Sequence, residues 1–145
     1  MNKLKFIYVL LCFLHVEISF AQSEIVFNWT DKTDQINISS FNNAVYFTDY
    51  NGLPSFQKIS KIENNIVNQI ELYDLETIDV TDYEAKLLKL MSVSDDFEIS
   101  SEVLKSRKEY YSRMLIFPYV KIDNTYKKIK RCKYKYIDKK SILKN

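Results

Sequence analysis

Two β-prone segments in the C-terminal third of the sequence lie on either side of the pair Asp123-Asn124, and the second of them alternates apolar and polar residues. Met114 and Ile116 share one face of the first segment. Cys132, Tyr134 and Tyr136 share one face of the second. A period of two is the period of a β-strand that buries one face. Asp and Asn also tolerate the left-handed backbone of a tight hairpin turn. The sequence therefore predicts strands with a hairpin turn at residues 123–124, and a mainly β fold.

Other segments predict further strands. Ile25, Phe27 and Trp29 alternate with polar neighbours near the N-terminus. Residues 66–80 predict one long strand, or two strands, with an irregularity of the kind that a β-bulge leaves in the sequence. Asn51-Gly52 is a turn signal. Shorter strands are expected at residues 41–47 and 97–103.

One helix is expected in the middle of the chain. Thr81 and Glu84 are spaced as a capping box, in which each side chain accepts a hydrogen bond from the backbone N–H of the other residue. Apolar residues with high helix propensity follow, over two to three turns at residues 85–91. So short a helix is expected as a connector packed on a sheet edge. The fold class predicted is an antiparallel β-sandwich-like domain with this one short helix.

The N-terminus has the pattern of a secretory signal peptide. Lys3 and Lys5 precede an apolar run that is too short for a comfortable membrane span. Ser19 and Ala21 then form the small-x-small pattern that a signal peptidase cleaves. We predict a signal peptide at residues 1–21 and a single β-rich domain at 22–145, exported to the periplasm, outer membrane or cell surface. The alternative is that the segment is retained as a membrane anchor. The sequence has no second long apolar run, so no other membrane span is expected.

The residues left after cleavage argue against an enzyme. His15 is the only histidine of the sequence, and it would leave with the signal peptide. Nucleophilic cysteine or serine sites usually need an imidazole base, and most zinc sites need His or several Cys. Gly52 is the only glycine, so phosphate-binding glycine loops are excluded. We therefore expect no catalytic residue, no cofactor and no metal, and we interpret Cys132 as a core residue.

Charge is distributed very unevenly along the chain. Residues 22–104 hold 5 basic and 15 acidic residues, whereas residues 105–145 hold 14 basic and 3 acidic ones. The two halves can neutralise each other in the folded state, so a basic segment need not bind a polyanion. The basic residues of the predicted hairpin are nevertheless a possible interaction face. These residues are Lys127, Arg131, Lys133 and Lys135.

Three blocks of the sequence carry a resemblance to a known family. They are FTDYNGLPSFQKISKI, NNIVNQIELYDLETI and YYSRMLIFPYVKIDNTYKKIKRCKYKY, preceded by the tryptophan-containing segment FNWT. In order and spacing they resemble the N-terminal region of the type IX secretion system sortase, a gingipain-related cell-surface cysteine peptidase of Bacteroidota. The resemblance spans essentially the whole chain after the signal peptide.

The resemblance implies a β-rich domain of the kind that precedes the catalytic domain. The catalytic His and Cys of the family lie downstream of this region, and the sequence ends at Asn145 without them. Cys132 falls where the family places a core hydrophobic residue in the last strand. The expectation is either a separately encoded relative or the product of a truncated gene, and the sequence leaves both open.

Three functional hypotheses follow. The first is a non-catalytic exported domain that acts by protein–protein contact at the cell envelope, with secretion-system components or a peptidase domain on another chain as partner and no nucleic acid. The second is a remnant without a function of its own. The third is a binder of polyanions, lipopolysaccharide or nucleic acid, through the basic hairpin.

Overall fold

The computed structural model describes residues 23–31, 39–63, 65–66 and 68–137. The predicted signal peptide, and therefore its cleavage site, lies outside the described residues. Ten strands and one helix make up the described part. They are β1 (Ser23–Val26), β2 (Thr30–Asp31), β3 (Ser39–Ser40), β4 (Ala44–Tyr46), β5 (Pro54–Ile62), β6 (Gln69–Asp79), α1 (Asp82–Lys89), β7 (Glu98–Ser106), β8 (Glu109–Phe117), β9 (Tyr119–Ile122) and β10 (Thr125–Ile137).

The strands form two four-stranded antiparallel sheets and one small two-stranded sheet. Sheet I has the order β1-β10-β6, with β9 also paired to β10. Sheet II has the order β4-β5-β8-β7. The chain passes from sheet II to sheet I at the buried Pro118, between β8 and β9. The predicted fold class, mainly β and antiparallel with one helix, is confirmed.

The main hydrophobic core joins the two sheets. Ile25, Ile129, Cys132 and Tyr134 come from sheet I, and Met114 and Ile116 come from β8 of sheet II. The burial of Met114 with Ile116, and of Cys132 with Tyr134, follows the period of two, because every second side chain of a strand faces the same side. A cluster of four aromatic rings also belongs to this core or packs against it. It consists of Phe27, Trp29, Phe41 and Phe56.

The predicted hairpin turn is confirmed. Ile122 pairs with Thr125, and the two residues between them have positive φ angles, 46° for Asp123 and 63° for Asn124. Two consecutive left-handed residues are the signature of a type I′ turn, whose twist matches that of the flanking strands. The turn therefore sets the register of β9 against β10.

The predicted irregularity in the long strand at residues 66–80 is also confirmed, in β6. The pairing of β6 with β10 shifts register twice, between Ile129 and Arg131 and between Arg131 and Lys133. On β6, Asp74 has a φ of 49° at this point. Such bulges increase the local twist and let two long strands coil around the core.

The helix begins with the predicted capping box. Thr81 Oγ1 accepts from the Glu84 backbone N–H at 3.1 Å, and Glu84 Oε2 accepts from the Thr81 N–H at 2.8 Å. Leu88 packs in a second core cluster with Leu53, Phe117 and Tyr119. α1 therefore packs beside the end of β8, as expected for a connector. It ends at Lys89, one residue before Leu90, which is 79% exposed.

Two predicted strands are shorter than expected. The first ends at Val26, although the Phe27 N–H still donates to the Lys130 carbonyl at 2.9 Å. Trp29 is fixed instead by its indole N–H, which donates to the Ile129 carbonyl at 2.8 Å. The strand expected at residues 41–47 is limited to Ala44–Tyr46. Within the described ranges, no helix is both long enough and apolar enough to cross a membrane.

Candidate functional site

The basic residues predicted as an interaction face lie in a network of ion pairs between β10, β6 and β1. We call this network the ion-pair ladder. Its members are Glu24, Glu71, Asp74, Glu76, Asp79, Lys127, Lys130, Arg131, Lys133 and Lys135. The N–O distances are 2.7 Å for Lys130–Glu76, 2.9 Å for Arg131–Glu76, 3.0 Å for Lys133–Asp74, 3.1 Å for Lys135–Glu71 and 3.7 Å for Arg131–Glu24, and Lys127 contacts Asp79.

The ladder is electrically neutral as a whole. Five cations face five carboxylates, so the formal charges cancel. The hydrogen bond and the charge of Asp74 raise the pKa of Lys133 above its usual value. The hydrogen bond from Lys130 is the main cause that lowers the pKa of Glu76. Each of the four predicted face residues thus has a carboxylate partner on β6.

The four predicted face residues do not follow one uninterrupted alternation. The first register shift of β10 lies between Ile129 and Arg131, so it separates Lys127 from Arg131, Lys133 and Lys135. Ile129 and Cys132, three residues apart, are both buried as a result. The extra residue of β10 at this shift is Lys130, which is exposed.

A second ion pair on β10 is buried, and the sequence did not predict it. Lys128 Nζ donates to the two carboxylate oxygens of Glu84 at 2.9 Å and 3.1 Å and to Ser39 Oγ at 3.0 Å. It also lies 4.3 Å from the centroid of the Trp29 ring. Burial, and then the charge of Glu84, raise the pKa of the nearby Tyr119 hydroxyl well above its usual range. All three ammonium donors of Lys128 can be used here, which makes the pair a structural contact between α1 and β10.

Cys132 occupies the core position expected of it. It is fully buried opposite Ile25 in the pairing of β1 with β10. Burial raises the pKa of its thiol to about 11. A thiol that stays protonated at neutral pH is a poor nucleophile.

A concave site lies where the turn before β5 folds over the start of β7 and the end of β8. We call it the aromatic cleft; its volume is about 500 Å³. Its walls include the rings of Phe47, Tyr50 and Phe117. Tyr50 stacks on Phe117 with centroids 4.2 Å apart, and Phe47 meets Tyr50 edge to face at 6.0 Å. A turn of 3₁₀ helix at Thr48–Tyr50 holds the first two rings in place, closed by the left-handed Asn51.

The aromatic cleft is lined by two exposed carboxylates and by one buried hydroxyl group. Asp49 and Glu98 are exposed, and the Tyr50 hydroxyl donates to Glu98 Oε2 at 3.3 Å. Burial, followed by the charge of Glu98, raises the pKa of Tyr50. Ser55, only 1% exposed, lines the cleft, and its hydroxyl has no hydrogen-bond partner among the described residues. The Asn51-Gly52 signal predicted the turn, but nothing in the sequence indicated which strands it would cover.

No family model, curated protein or solved structure matches the chain. The resemblance to the N-terminal region of the sortase therefore stays a prediction. Among the described residues, no group of three or more His, Cys, Asp or Glu side chains is placed to hold a metal ion.

Proposed function

We propose that the chain is a non-catalytic exported β-domain that acts by protein–protein contact at the cell envelope. The aromatic cleft is the observation that carries this proposal. Concave sites with aromatic walls and a few placed polar groups are the usual form of binding sites in proteins. Tyr50, Phe47 and Phe117 provide such walls, and the buried hydroxyl of Ser55 provides a polar group that still needs a partner.

The partner proposed is a component of the secretion apparatus or a peptidase domain on another chain. The sequence resemblance supports this choice, since the resembled region precedes a peptidase domain in its family. Cys132 supports a non-catalytic role, because its thiol is buried in the core with a raised pKa. The polyanion alternative has less support, because the ion-pair ladder carries no net charge with which to attract phosphates.

Site-specific photo-cross-linking tests the proposal. A photoreactive residue replaces Ser100, which lines the aromatic cleft and is exposed, or Lys135, an exposed member of the ladder. Cells that produce the full chain are irradiated, and cross-linked species are identified by mass spectrometry. We expect one discrete envelope protein attached at position 100 and none at position 135. Cross-links at position 135 alone, or at neither position in folded protein, would overturn the proposal.

Export is tested independently. N-terminal sequencing of protein from the envelope fraction should find Gln22 as the first residue, because Ser19 and Ala21 fit the signal peptidase pattern. Material that begins at Met1 and stays in the cytoplasm would contradict the export prediction.

A further inference from the structure

The charged residues that line the aromatic cleft are all acidic. Asp49 and Glu98 belong to its lining, which contains no Lys or Arg within the described chain. Neither carboxylate forms an ion pair with a described residue, in contrast to the carboxylates of the ladder. Two carboxylates beside low-dielectric aromatic walls favour a cation over a neutral or anionic ligand.

The aromatic walls favour a flat cation over a compact one. Tyr50 and Phe117 are stacked on one another, and Phe47 meets Tyr50 at right angles. A guanidinium group stacks on ring faces and is more weakly hydrated than an ammonium group, so it loses less on entering such a site. Glu98 already accepts one hydrogen bond, from the Tyr50 hydroxyl, and a carboxylate has room for several more.

The lining of the cleft also contains a buried hydroxyl group, that of Ser55, without a hydrogen-bond partner among the described residues. Ser55 Oγ is buried and unpartnered among the described residues, and such a group normally has a partner in the functional state of a protein. A guanidinium group has five N–H donors in a fixed fork, which is enough to serve a carboxylate and a hydroxyl together.

From this arrangement we infer that the aromatic cleft binds the side chain of an arginine presented by the partner polypeptide. The inference rests on the proposed function, since it takes the occupant from a protein partner. Arginine fits the three observations together: two unpaired carboxylates, stacked rings and an unsatisfied buried hydroxyl.

The test compares three blocked amino acids by NMR titration of residues 22–145, the chain without the predicted signal peptide, which we call the mature chain. N-acetyl-arginine methylamide should shift the backbone amides of the 47–50 turn and of residues 98–100. The citrulline analogue has the same shape without the charge, and we expect it to bind about tenfold more weakly, as loss of a charged hydrogen bond predicts. The lysine analogue should also bind more weakly than the arginine compound. Equal binding of arginine and citrulline, or no shifts with either, would overturn the inference.

Two isosteric substitutions locate the site. Glu98→Gln should weaken arginine binding about tenfold, because it removes one carboxylate of the cleft. Glu71→Gln, in the ladder, should leave it unchanged. If both substitutions weaken binding to the same extent, the effect is one of net charge and the cleft is not the site.

The two proposals fail differently. Cross-links at position 100 without a preference for arginine over citrulline would refute the arginine inference and leave the proposed function standing. Arginine binding in the cleft without any cross-linked protein would refute a protein partner, and with it the source of the arginine.

Discussion

Strand β10 carries two kinds of ion pair, and they differ in burial far more than in chemistry. In the ladder, Lys130 and Glu76 have side chains that are 53% and 39% exposed. In the buried pair, the side chain of Lys128 is 4% exposed and that of Glu84 is not exposed at all. Both pairs have a short N–O distance, 2.7 Å and 2.9 Å. Distance alone therefore does not show what an ion pair contributes to the fold.

The two kinds of ion pair differ in how well water can hydrate the charges once the pair is broken. When a ladder pair is broken, both charges remain hydrated, so little free energy is lost. When the buried pair is broken by removing one partner, the other charge is left in a low-dielectric interior without compensation. The buried pair therefore resists separation, and it fixes the position of α1 against β10. Glu84 also accepts from the Ser39 backbone N–H at 3.1 Å, so the same carboxylate holds a third segment.

The largest loss of folding stability is expected from Glu84→Gln. The amide keeps the shape of the side chain, but it removes the charge and replaces one of two acceptor oxygens by an NH2 donor. Lys128 then becomes a buried cation without a counterion. We expect a loss of about 3–5 kcal/mol in the free energy of unfolding, measured by urea denaturation. The double variant with Lys128→Met should lose less than the sum of the two single variants, because it removes both charges. Additive losses would show that the two residues are not coupled.

A loss of similar size is expected from Tyr134→Ala. Tyr134 is 4% exposed in the main core, and its hydroxyl accepts from Lys58 Nζ. Truncation of a buried aromatic side chain to Ala typically loses about 3–5 kcal/mol. Tyr136→Ala is the matched control, because Tyr136 is a neighbouring tyrosine of the same strand that is 44% exposed. Equal losses for the two variants would show that the burial on β10 is wrongly assigned.

A pH-dependent effect is expected at Cys132. Burial raises its thiol pKa from 9.0 to about 11, so the folded state holds the proton more tightly than the unfolded state. The resulting contribution to stability is complete below the unfolded pKa and is lost as the pH rises through about 11. At neutral pH, iodoacetamide should label the mature chain only after denaturation, as followed by mass spectrometry. Rapid labelling of the folded chain would indicate an accessible, activated thiolate.

The smallest loss of folding stability is expected from substitutions in the ion-pair ladder. Replacing both Lys133 and Lys135 by Gln removes two surface cations, one half-buried and one exposed, from pairs with Asp74 and Glu71. The midpoint of urea unfolding should hardly move, because exposed pairs compete with water and are screened by salt. A large, salt-dependent drop in the midpoint would mean that the ladder acts as a cooperative network.

Local signals predicted the parts of the fold that depend on local chemistry. The hairpin at Asp123-Asn124 and the capping box of Thr81 and Glu84 follow from the chemistry of a few residues. The irregularity of β6 follows from the interrupted apolar pattern of residues 66–80. The neutralisation of the basic segment was also foreseeable, since acidic and basic residues are separated along the chain. These predictions needed no knowledge of long-range packing.

The sequence could not predict the contacts made between distant segments. Lys128 is one of several lysines of β10, and only the docking of α1 distinguishes it by placing Glu84 beside it. The aromatic cleft likewise requires Tyr50 to reach Phe117, 67 positions later in the sequence. Neither contact has a periodicity or a motif, so both depend on how the two sheets are assembled.

The central claim is that the basic residues of β10 are paired with carboxylates of the same domain and do not form a binding arm. The most direct measurement is the affinity of the mature chain for heparin and for lipopolysaccharide at low and at physiological salt. The comparison variant carries Gln at Lys127, Arg131, Lys133 and Lys135 together. We predict weak binding at physiological salt for the unmodified chain, because its ladder is neutral. Binding by the variant should be equally weak or weaker, because its ladder keeps five carboxylates and one cation. Tight binding that falls steeply with salt and disappears in the folded variant would contradict this account.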